Sequence, residues 1–348
     1  MLELKNIEKK YTDFSLKDIS FKIKQGEILS LIGPSGSGKS TIIKIITGII
    51  KPDSGNLFID RKDITGYPPE MRNFGYIPQT IGLFSHLNVM ENIEFPLKFK
   101  KIGKKKRKEI VLSVLEDFGI KELLNRYPLN LSGGEKQKVA LARAFVFNPY
   151  IILMDEPMNS IDYQIREKYL KFIKDISRKY GTPVIYVTHN FEEAMAISDR
   201  IIVMKEGKLI KQGNISDFIK NPDDVWIASF FRHKNIIFGY LKDREFRIDN
   251  SDLTIKTTLE GEGKTSIMIK GDEIILSKEK IFSSALNCFK GKIIDFTPDL
   301  YNREVVVDVR KVVFKVLITK ESFEKLSLAG DSEVYLSFKA NSVKKLKG

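Results

Sequence analysis

A loop rich in glycine, GPSGSGKS, occupies residues 33–40 between two apolar runs. It fits the pattern G-x4-G-K-[ST], in which backbone N–H groups turn toward one point and surround phosphate oxygens. A helix beginning near Lys39 directs its partial positive end to the same point. In this pattern Lys39 reaches the β- and γ-phosphates of a nucleotide and Ser40 binds Mg²⁺. A tight strand-to-helix turn would explain the glycines but not the lysine. The predicted nucleotide-binding residues are Gly33, Pro34, Ser35, Gly36, Ser37, Gly38, Lys39, Ser40 and Thr41.

Two adjacent carboxylates end a second apolar run, IILMDE at residues 151–156. At the end of a buried strand, Asp155 can hold Mg²⁺ directly or through water. Its neighbour Glu156 can orient and deprotonate an attacking water, which is the role of a general base. An acidic pair of this kind can also be an ordinary surface loop. Together with the glycine-rich loop, it predicts a site that hydrolyses a nucleotide with Mg²⁺ as cofactor.

Two further side chains fit the same site. His189 ends the apolar run Val184–Val187 with Thr188, where it can contact a γ-phosphate. Tyr11 follows the first strand-like segment, where it can stack on a nucleotide base, and such stacking contributes about 1–3 kcal/mol. Alone, a histidine at a strand end is more often structural, and a single tyrosine is usually core or surface. Both assignments therefore depend on the neighbouring motifs.

Alternating strand and helix signals place these loops together. They continue to about residue 215 and predict an α/β domain with a largely parallel sheet. Ligands of such open sheets bind at the carboxyl ends of the strands, so the three loops should meet in one crevice. Residues 85–130 are predicted to be mainly helical and to form a subdomain.

After VWIASFFRHKN, residues 225–235, alternation with a period of two predicts an all-β region. One strand would bury Val305, Val307 and Val309, and another Val334, Leu336 and Phe338. The segments NIIFGYL (235–241) and NCFKGKI (287–293) share Asn-x3-Gly, which indicates two copies of a small barrel unit. Chance similarity of short strands is the alternative explanation.

Composition limits the partners. The 348 residues carry a net charge of +13, and Cys288 is the only cysteine, which excludes intrachain disulfides and fits a reducing cytosol. No run approaches the eighteen or so apolar residues of a membrane span. The dense basic run KKIGKKKRK (100–108) lacks interleaved aromatic residues, so a solvated helix start is favoured over a nucleic-acid site.

The motif LSGGEKQ, residues 131–137, resembles the signature motif of ATP-binding cassette (ABC) proteins. The rest of that family's ordered set is present as well, over roughly the first 230 residues. The resemblance implies an ATPase in which Gln79 of YIPQ joins the nucleotide and Mg²⁺ site to the helical subdomain, and His189 contacts the γ-phosphate. It also implies a head-to-tail homodimer, in which the signature loop completes the partner's ATP site. The positions concerned are Ser132, Gly133, Gly134 and Glu135 of the signature loop, and Asp162 of NSID.

The family further implies membrane-spanning permease partners, which dock a short helix on the helical subdomain, and an external substrate-binding protein. This would place the chain at the cytoplasmic face of the membrane. Two positions depart from the common pattern. Glu135 replaces the usual Gln, and MNSID (158–162) replaces Leu-Ser-Ala-Leu-Asp.

The segment 316–343 resembles the transport-associated oligonucleotide-binding-like (TOBE) domain, in the form found in molybdate-binding proteins. The predicted organisation is an α/β P-loop ABC domain at 1–234 and an all-β, OB-like tandem TOBE domain at 235–348. The resemblance implies an importer of molybdate or tungstate, with sulfate, ferric iron, sugar or polyamine as alternative cargoes. A soluble cassette ATPase of DNA repair or translation, or a nucleic-acid-binding β-domain, is less favoured. Side chains suited to an oxyanion are Thr319, Lys320, Ser322, Lys339 and Ser342.

Overall fold

The computed structural model describes residues 1–158, 163–220, 222, 224–298 and 302–347. The chain divides into two compact units, Met1–Ile215 and Ser216–Gly348. The domain boundary expected at residues 234/235 stays a prediction. In the part of the chain described, no helix combines the length and apolar character that crossing a membrane requires.

The first unit contains ten strands and seven complete helices among its described residues. The strands are β1 (Leu2–Lys10), β2 (Ser15–Ile23), β3 (Ile28–Ile32), β4 (Ser54–Ile59), β5 (Lys62–Asp63), β6 (Gly75–Ile77), β7 (Ile152–Asp155), β8 (Val184–Thr188), β9 (Arg200–Lys205) and β10 (Lys208–Gly213). The helices are α1 (Lys39–Thr47), α2 (Pro69–Arg72), α3 (Val89–Glu94), α4 (Lys104–Asp117), α5 (Gly133–Phe145), α6 (Tyr163–Tyr180) and α7 (Phe191–Ile197). Helix α8 (Ile215–Lys220) spans the division between the units.

A six-stranded sheet in the order β10-β9-β3-β8-β7-β6 forms the centre of this unit. All its pairings are parallel except that of β9 with β10. Alternate residues of β8 belong to two different cores: Tyr186 packs with the core on one face, and Ile185 and Val187 with the core on the other. The central strands are therefore apolar throughout, as expected for a parallel sheet covered on both faces. The predicted α/β fold is confirmed.

The segment between β6 and β7 is helical, as the sequence predicts. Asn88 caps helix α3: its side chain accepts from the Glu91 N–H, while the Glu91 carboxylate accepts from the Asn88 N–H. This reciprocal capping satisfies two N–H groups that would otherwise lack acceptors. Helix α4 begins within the basic run, and the side chains of Lys104, Lys105 and Lys108 are exposed. The basic run therefore lies at the exposed start of a helix.

The second unit is rich in β-structure, and its described residues form two short α-helices besides α8. Its strands are β11 (Ile236–Lys242), β12 (Glu245–Ile248), β13 (Thr254–Lys256), β14 (Gly263–Met268), β15 (Ile275–Ser277), β16 (Asn287–Pro298), β17 (Asn302–Val309), β18 (Val312–Thr319), β19 (Glu333–Phe338) and β20 (Lys344–Leu346). The helices are α9 (Val225–Phe230) and α10 (Lys320–Lys325). The six side chains expected inside, from Val305 to Phe338, are all buried.

The two sheets of this unit have corresponding strand orders, β13-β12-β11-β14-β20 and β18-β17-β16-β19-β15. Each sheet thus takes its last strand from the other repeat. The repeated asparagine explains part of the motif. Buried Asn235 bonds the backbone of Lys315 in β18, and buried Asn287 bonds the backbone of Lys256 in the equivalent β13. An asparagine suits this position because its amide both donates and accepts, and so pairs with a peptide group.

Candidate nucleotide-binding and hydrolysis site

The glycine-rich loop lies between β3 and α1, as the motif requires. Gly33 has no room for a side chain, because a Cβ there would lie 2.2 Å from the Met204 carbonyl oxygen. Gly38 precedes α1 with φ 100°, a left-handed conformation that favours glycine. The N–H groups of the first turn of α1 have no acceptor within the helix. This turn therefore presents donors and a positive helix end to the loop.

Lys39 is the buried cation of the loop, with 5% of its surface exposed. Its Nζ donates to the carbonyl oxygens of Gly33 and Pro34, both at 2.8 Å. Burial lowers the pKa of Lys39, and the nearby carboxylates of Glu156 and Asp155 partly oppose this effect. The ammonium group is thus held against the loop by neutral acceptors. A phosphate oxygen would supply the negative charge that these acceptors lack.

Ser40 and Asp155 bring two oxygens together at the end of the sheet. The Ser40 hydroxyl donates to Asp155 Oδ1 at 3.0 Å. Asp155 is buried at the end of β7, and burial raises its pKa, while the Ser40 hydrogen bond acts in the opposite direction. Oxygen donors of this type, one of them anionic, are those that Mg²⁺ prefers. Two of the three residues predicted to bind Mg²⁺ therefore lie within hydrogen-bonding distance of each other, and the third is Gln79.

Glu156 follows β7 and lies between two other predicted site residues. Its Oε1 is 3.2 Å from His189 Nδ1, and its Oε2 accepts from the Gln79 amide at 3.5 Å. The backbone at Glu156 has φ 47°, and its N–H donates to the Val187 carbonyl at 2.9 Å. This conformation turns the side chain toward the loops after β6 and β8. The arrangement places a carboxylate, an imidazole and an amide in contact, although the catalytic roles of these groups stay predictions.

Tyr11 lies beside the glycine-rich loop. It lines a cavity of about 870 Å³ together with Phe14 and Gly36 of the glycine-rich loop. The rings of Tyr11 and Phe14 stack with centroids 6.5 Å apart, and Tyr11 is about half exposed. An exposed aromatic ring next to the glycine-rich loop is suited to stacking on a nucleotide base.

The signature loop begins α5. Ser132 caps the helix, and its hydroxyl accepts from the Glu135 N–H at 3.3 Å. In return, Glu135 Oε2 accepts from the Ser132 N–H at 2.7 Å. The N–H groups of Gly133 and Gly134 then have no acceptor within the helix. The replacement of the family's Gln by Glu135 preserves the capping.

We expect Glu135→Ala to lower the free energy of unfolding by about 1 kcal/mol at neutral pH, because it removes half of this capping box. The Ser132 N–H is the main cause of the lowered pKa of Glu135. The stabilisation should therefore be complete above the ordinary pKa of a glutamate and disappear as the pH falls through the lowered one. Denaturant unfolding of both proteins from pH 7 downward measures it. The exposed Glu116→Ala is the control, and an equal loss there would contradict the capping role.

Some contacts that support the candidate site involve residues outside every sequence motif. The turn between β9 and β10 supports the glycine-rich loop, because the Gly207 N–H donates to the Ser37 carbonyl at 3.2 Å. A Cβ at Gly207 would lie 1.8 Å from the Ser15 carbonyl oxygen, so only glycine fits there. Gln137 is buried, and its amide donates to the Pro157 carbonyl. These contacts join distant parts of the chain, and no local spacing signals them. Asp162 lies outside the described residues.

The five residues expected to bind an oxyanion fall into two groups in the second unit. Thr319 is paired with Asn302, beside the end of β16. Lys339 follows Phe338, which is paired with Asn287 at the start of β16. The groups thus lie at opposite ends of a twelve-residue strand. The remaining members divide in the same way, with Lys320 and Ser322 in α10, and Ser342 in the turn after β19.

The first group already has partners. The Thr319 hydroxyl caps α10, since it accepts from the Ser322 N–H at 3.1 Å and donates to the Ser322 hydroxyl at 2.8 Å. Lys320 is 3.9 Å from the carboxylate of Glu324. A threonine at this position is typical of a helix N-cap, which gives it a structural role in α10.

Comparison with known proteins identifies both parts of the chain. Residues 16–159 match the family model described as ABC transporter, and residues 283–344 match the TOBE domain. Over 343 residues, the chain is 39% identical to the molybdate/tungstate import ATP-binding protein WtpC of Pyrococcus horikoshii, with 99% of each chain covered. It is 35% identical over 341 residues to the spermidine/putrescine import ATP-binding protein PotA of Mesoplasma florum, with 96% of each covered.

The fold comparison agrees with these matches. A dimeric ATP-binding cassette in a post-hydrolysis state, bound to ADP and phosphate, is 34% identical to this chain with a TM-score of 0.54. The match covers 62% of this chain and 99% of that structure. The motifs, the fold comparison and the two family matches lead to the same assignment. This chain belongs to the ABC transporter family, as an ATP-binding cassette ATPase followed by a TOBE domain.

Proposed function

We propose that this chain is the ATP-hydrolysing subunit of a molybdate or tungstate importer. The observation that carries the proposal is the 39% identity to a molybdate/tungstate import protein over 99% of both chains, which includes the second unit. The polyamine import relative is 35% identical, and 96% of this chain is covered. The proposed cargo is therefore supported by similarity across the whole chain, whereas the proposed ATP hydrolysis is also supported by the residues of the site.

In the proposed reaction, the glycine-rich loop and Lys39 bind the β- and γ-phosphates of ATP. Ser40, Asp155 and Gln79 are the residues that would hold Mg²⁺, which when bound would neutralise charge on the phosphates. Glu156 accepts a proton from the water that attacks the γ-phosphate. His189, 3.2 Å from Glu156, keeps that carboxylate aimed at the water and contacts the phosphate. The products are ADP and phosphate, and the proton first resides on Glu156.

We also propose that two copies of the chain act together. The free N–H groups of Gly133 and Gly134 would bind the γ-phosphate of the other copy, and Asp162 would lie at the same contact. A C2 dimer repeats this contact twice. Closure on ATP and opening after hydrolysis would then drive permease subunits. In this proposal the chain lies at the cytoplasmic face of the membrane, and an external protein delivers the cargo.

Uptake of radioactive tungstate tests the cargo. Cells of the source organism that lack this chain should lose uptake, and the intact chain should restore it, whereas Glu156→Gln should not. Excess molybdate should compete for uptake, and excess sulfate or spermidine should not. Unchanged tungstate uptake in cells that lack the chain, together with loss of spermidine, ferric iron or sulfate uptake, would replace the proposed cargo with that compound, while the ATPase assignment would be unaffected.

We propose in addition that the second unit binds the imported oxyanion and thereby restrains hydrolysis. Lys339 and Ser342 supply an ammonium and a hydroxyl at one end of β16, and Thr319, Lys320 and Ser322 supply similar groups at the other. Two such ends allow two kinds of site. Either each end binds an anion by itself, or the two ends of neighbouring copies meet around one.

Calorimetric titration of the full chain with tungstate distinguishes these possibilities. We expect binding that Lys339→Ala weakens about tenfold, the effect of one charge-assisted hydrogen bond of about 1.5 kcal/mol. If Thr319→Ala weakens the same single transition, the site lies between copies, because the two residues are at opposite ends of β16. The exposed Lys278→Ala is the control. Absence of tungstate and molybdate binding would contradict a regulatory site.

A further inference from the structure

A buried carboxylate lies just behind the loop that carries His189. Glu193 in α7 has 5% of its surface exposed, and its Oε2 accepts from two hydroxyls of β8. These are the hydroxyls of Tyr186 at 3.0 Å and Thr188 at 2.8 Å. Burial raises the pKa of Tyr186 well above its usual value, and Glu193 adds to the effect, so the phenol remains a donor. Two hydroxyl donors of β8 therefore hold this carboxylate.

Thr188 connects this carboxylate to the histidine loop. While its hydroxyl donates to Glu193, it also accepts from the Asn190 N–H at 3.0 Å. The Asn190 side chain in turn caps α7 by accepting from the Glu192 and Glu193 N–H groups. His189 lies between Thr188 and Asn190, so hydrogen bonds fix the backbone on both of its sides. The imidazole reaches Glu156 from this position.

The other oxygen of Glu193 faces a different helix. Oε1 lies 3.1 Å from Nη1 of Arg166, in the first turn of α6. Helix α6 begins at Tyr163, directly after Asp162. Arg166 is about one-quarter exposed, and both partners line a cavity of about 310 Å³. One carboxylate thus joins the helix after Asp162 to the strand and helix on either side of His189.

We propose that Glu193 is a positioning residue for His189, and that its ion pair with Arg166 couples the segment after Asp162 to the γ-phosphate contact. This inference rests on the proposed roles of His189 and Glu156. A buried carboxylate is costly unless it is paired and hydrogen-bonded, and here three donors meet one side chain. Movement of α6 at the contact between copies would therefore pull on Glu193 and, through Thr188, on His189.

Steady-state kinetics and a double-mutant cycle test the coupling. Glu193→Gln keeps the shape of the side chain but removes its charge, and Arg166→Met removes the partner. We expect each to lower kcat for ATP about tenfold or more, since small misplacements of catalytic groups are costly. The KM for ATP should stay within about twofold of that of the unchanged chain, because neither substitution alters the glycine-rich loop. The double variant should be no slower than the slower single variant, as expected for two residues acting as a unit.

The ion pair between Glu27 and Arg200 provides the matched control. It joins the residue just before β3 to β9 of the same unit, at 2.7 Å and with similar exposure, and neither member is a predicted site residue. Glu27→Gln should destabilise the fold in a comparable way and leave kcat per folded molecule unchanged. If Glu193→Gln behaves like Glu27→Gln, Glu193 is structural only and the proposal is overturned. An inactive Glu156→Gln beside a fully active Glu193→Gln would overturn the coupling while leaving the ATPase assignment intact.

Discussion

Glu156→Gln is expected to lower the rate of ATP hydrolysis about 100- to 10,000-fold, the usual contribution of a general base. The amide has the shape of the carboxylate and can keep its contact with Gln79, but it cannot accept a proton from water. ATP binding should therefore survive, and two copies should stay closed around it. Phosphate release in a single turnover measures the first effect, and gel filtration with and without ATP measures the second.

A carboxylate outside the site provides the comparison for this variant. Glu167 is exposed in α6, and Glu167→Gln should hydrolyse ATP at the normal rate. Normal turnover by Glu156→Gln would remove Glu156 from the role of base. In that case His189, which is 3.2 Å away, would be the next group to test.

Lys39→Met is expected to weaken ATP binding about 10- to 100-fold, which corresponds to charge-assisted hydrogen bonds of about 1.5–3 kcal/mol. The side chain is buried among carbonyl oxygens, and desolvation already lowers its pKa. Removal of a desolvated charge should cost the fold little, so the Tm without nucleotide should change by a few degrees at most. Titration with a fluorescent ATP analogue measures the affinity, and circular dichroism the Tm.

Lys44→Met is the matched variant, because Lys44 lies in the same helix and is exposed. It should bind ATP as the unchanged chain does. Equal weakening by both substitutions would mean that net charge, and not a contact with the phosphates, accounts for the loss. A large fall in Tm for Lys39→Met alone would instead show that the lysine is needed to form the loop.

The nucleotide site could be predicted from sequence because its signals are local. A strand, a glycine-rich turn and a helix follow one another at 28–47, and backbone sterics alone restrict what such a turn can hold. The apolar run ending in Asp155 signals a buried strand in the same way. Since parallel strands end at one edge, the order of the motifs already implied that they meet. The tandem repeat was visible for a similar reason, because each asparagine occupies an equivalent strand start.

Tertiary structure alone decided which residues beyond the motifs support the site. Gly207 supports the glycine-rich loop from a turn about 170 residues away in sequence. Glu193, which belongs to no sequence motif, joins β8 to α6. The tertiary structure also places Thr319 and Lys339, both predicted to suit an oxyanion, at opposite ends of β16. Strand register sets that separation, and register depends on pairing between distant segments. The sequence by itself thus determined the family, the fold class and the place of the glycine-rich loop between a strand and a helix, while long-range packing decided the contacts that support this loop and the division of the anion-binding candidates.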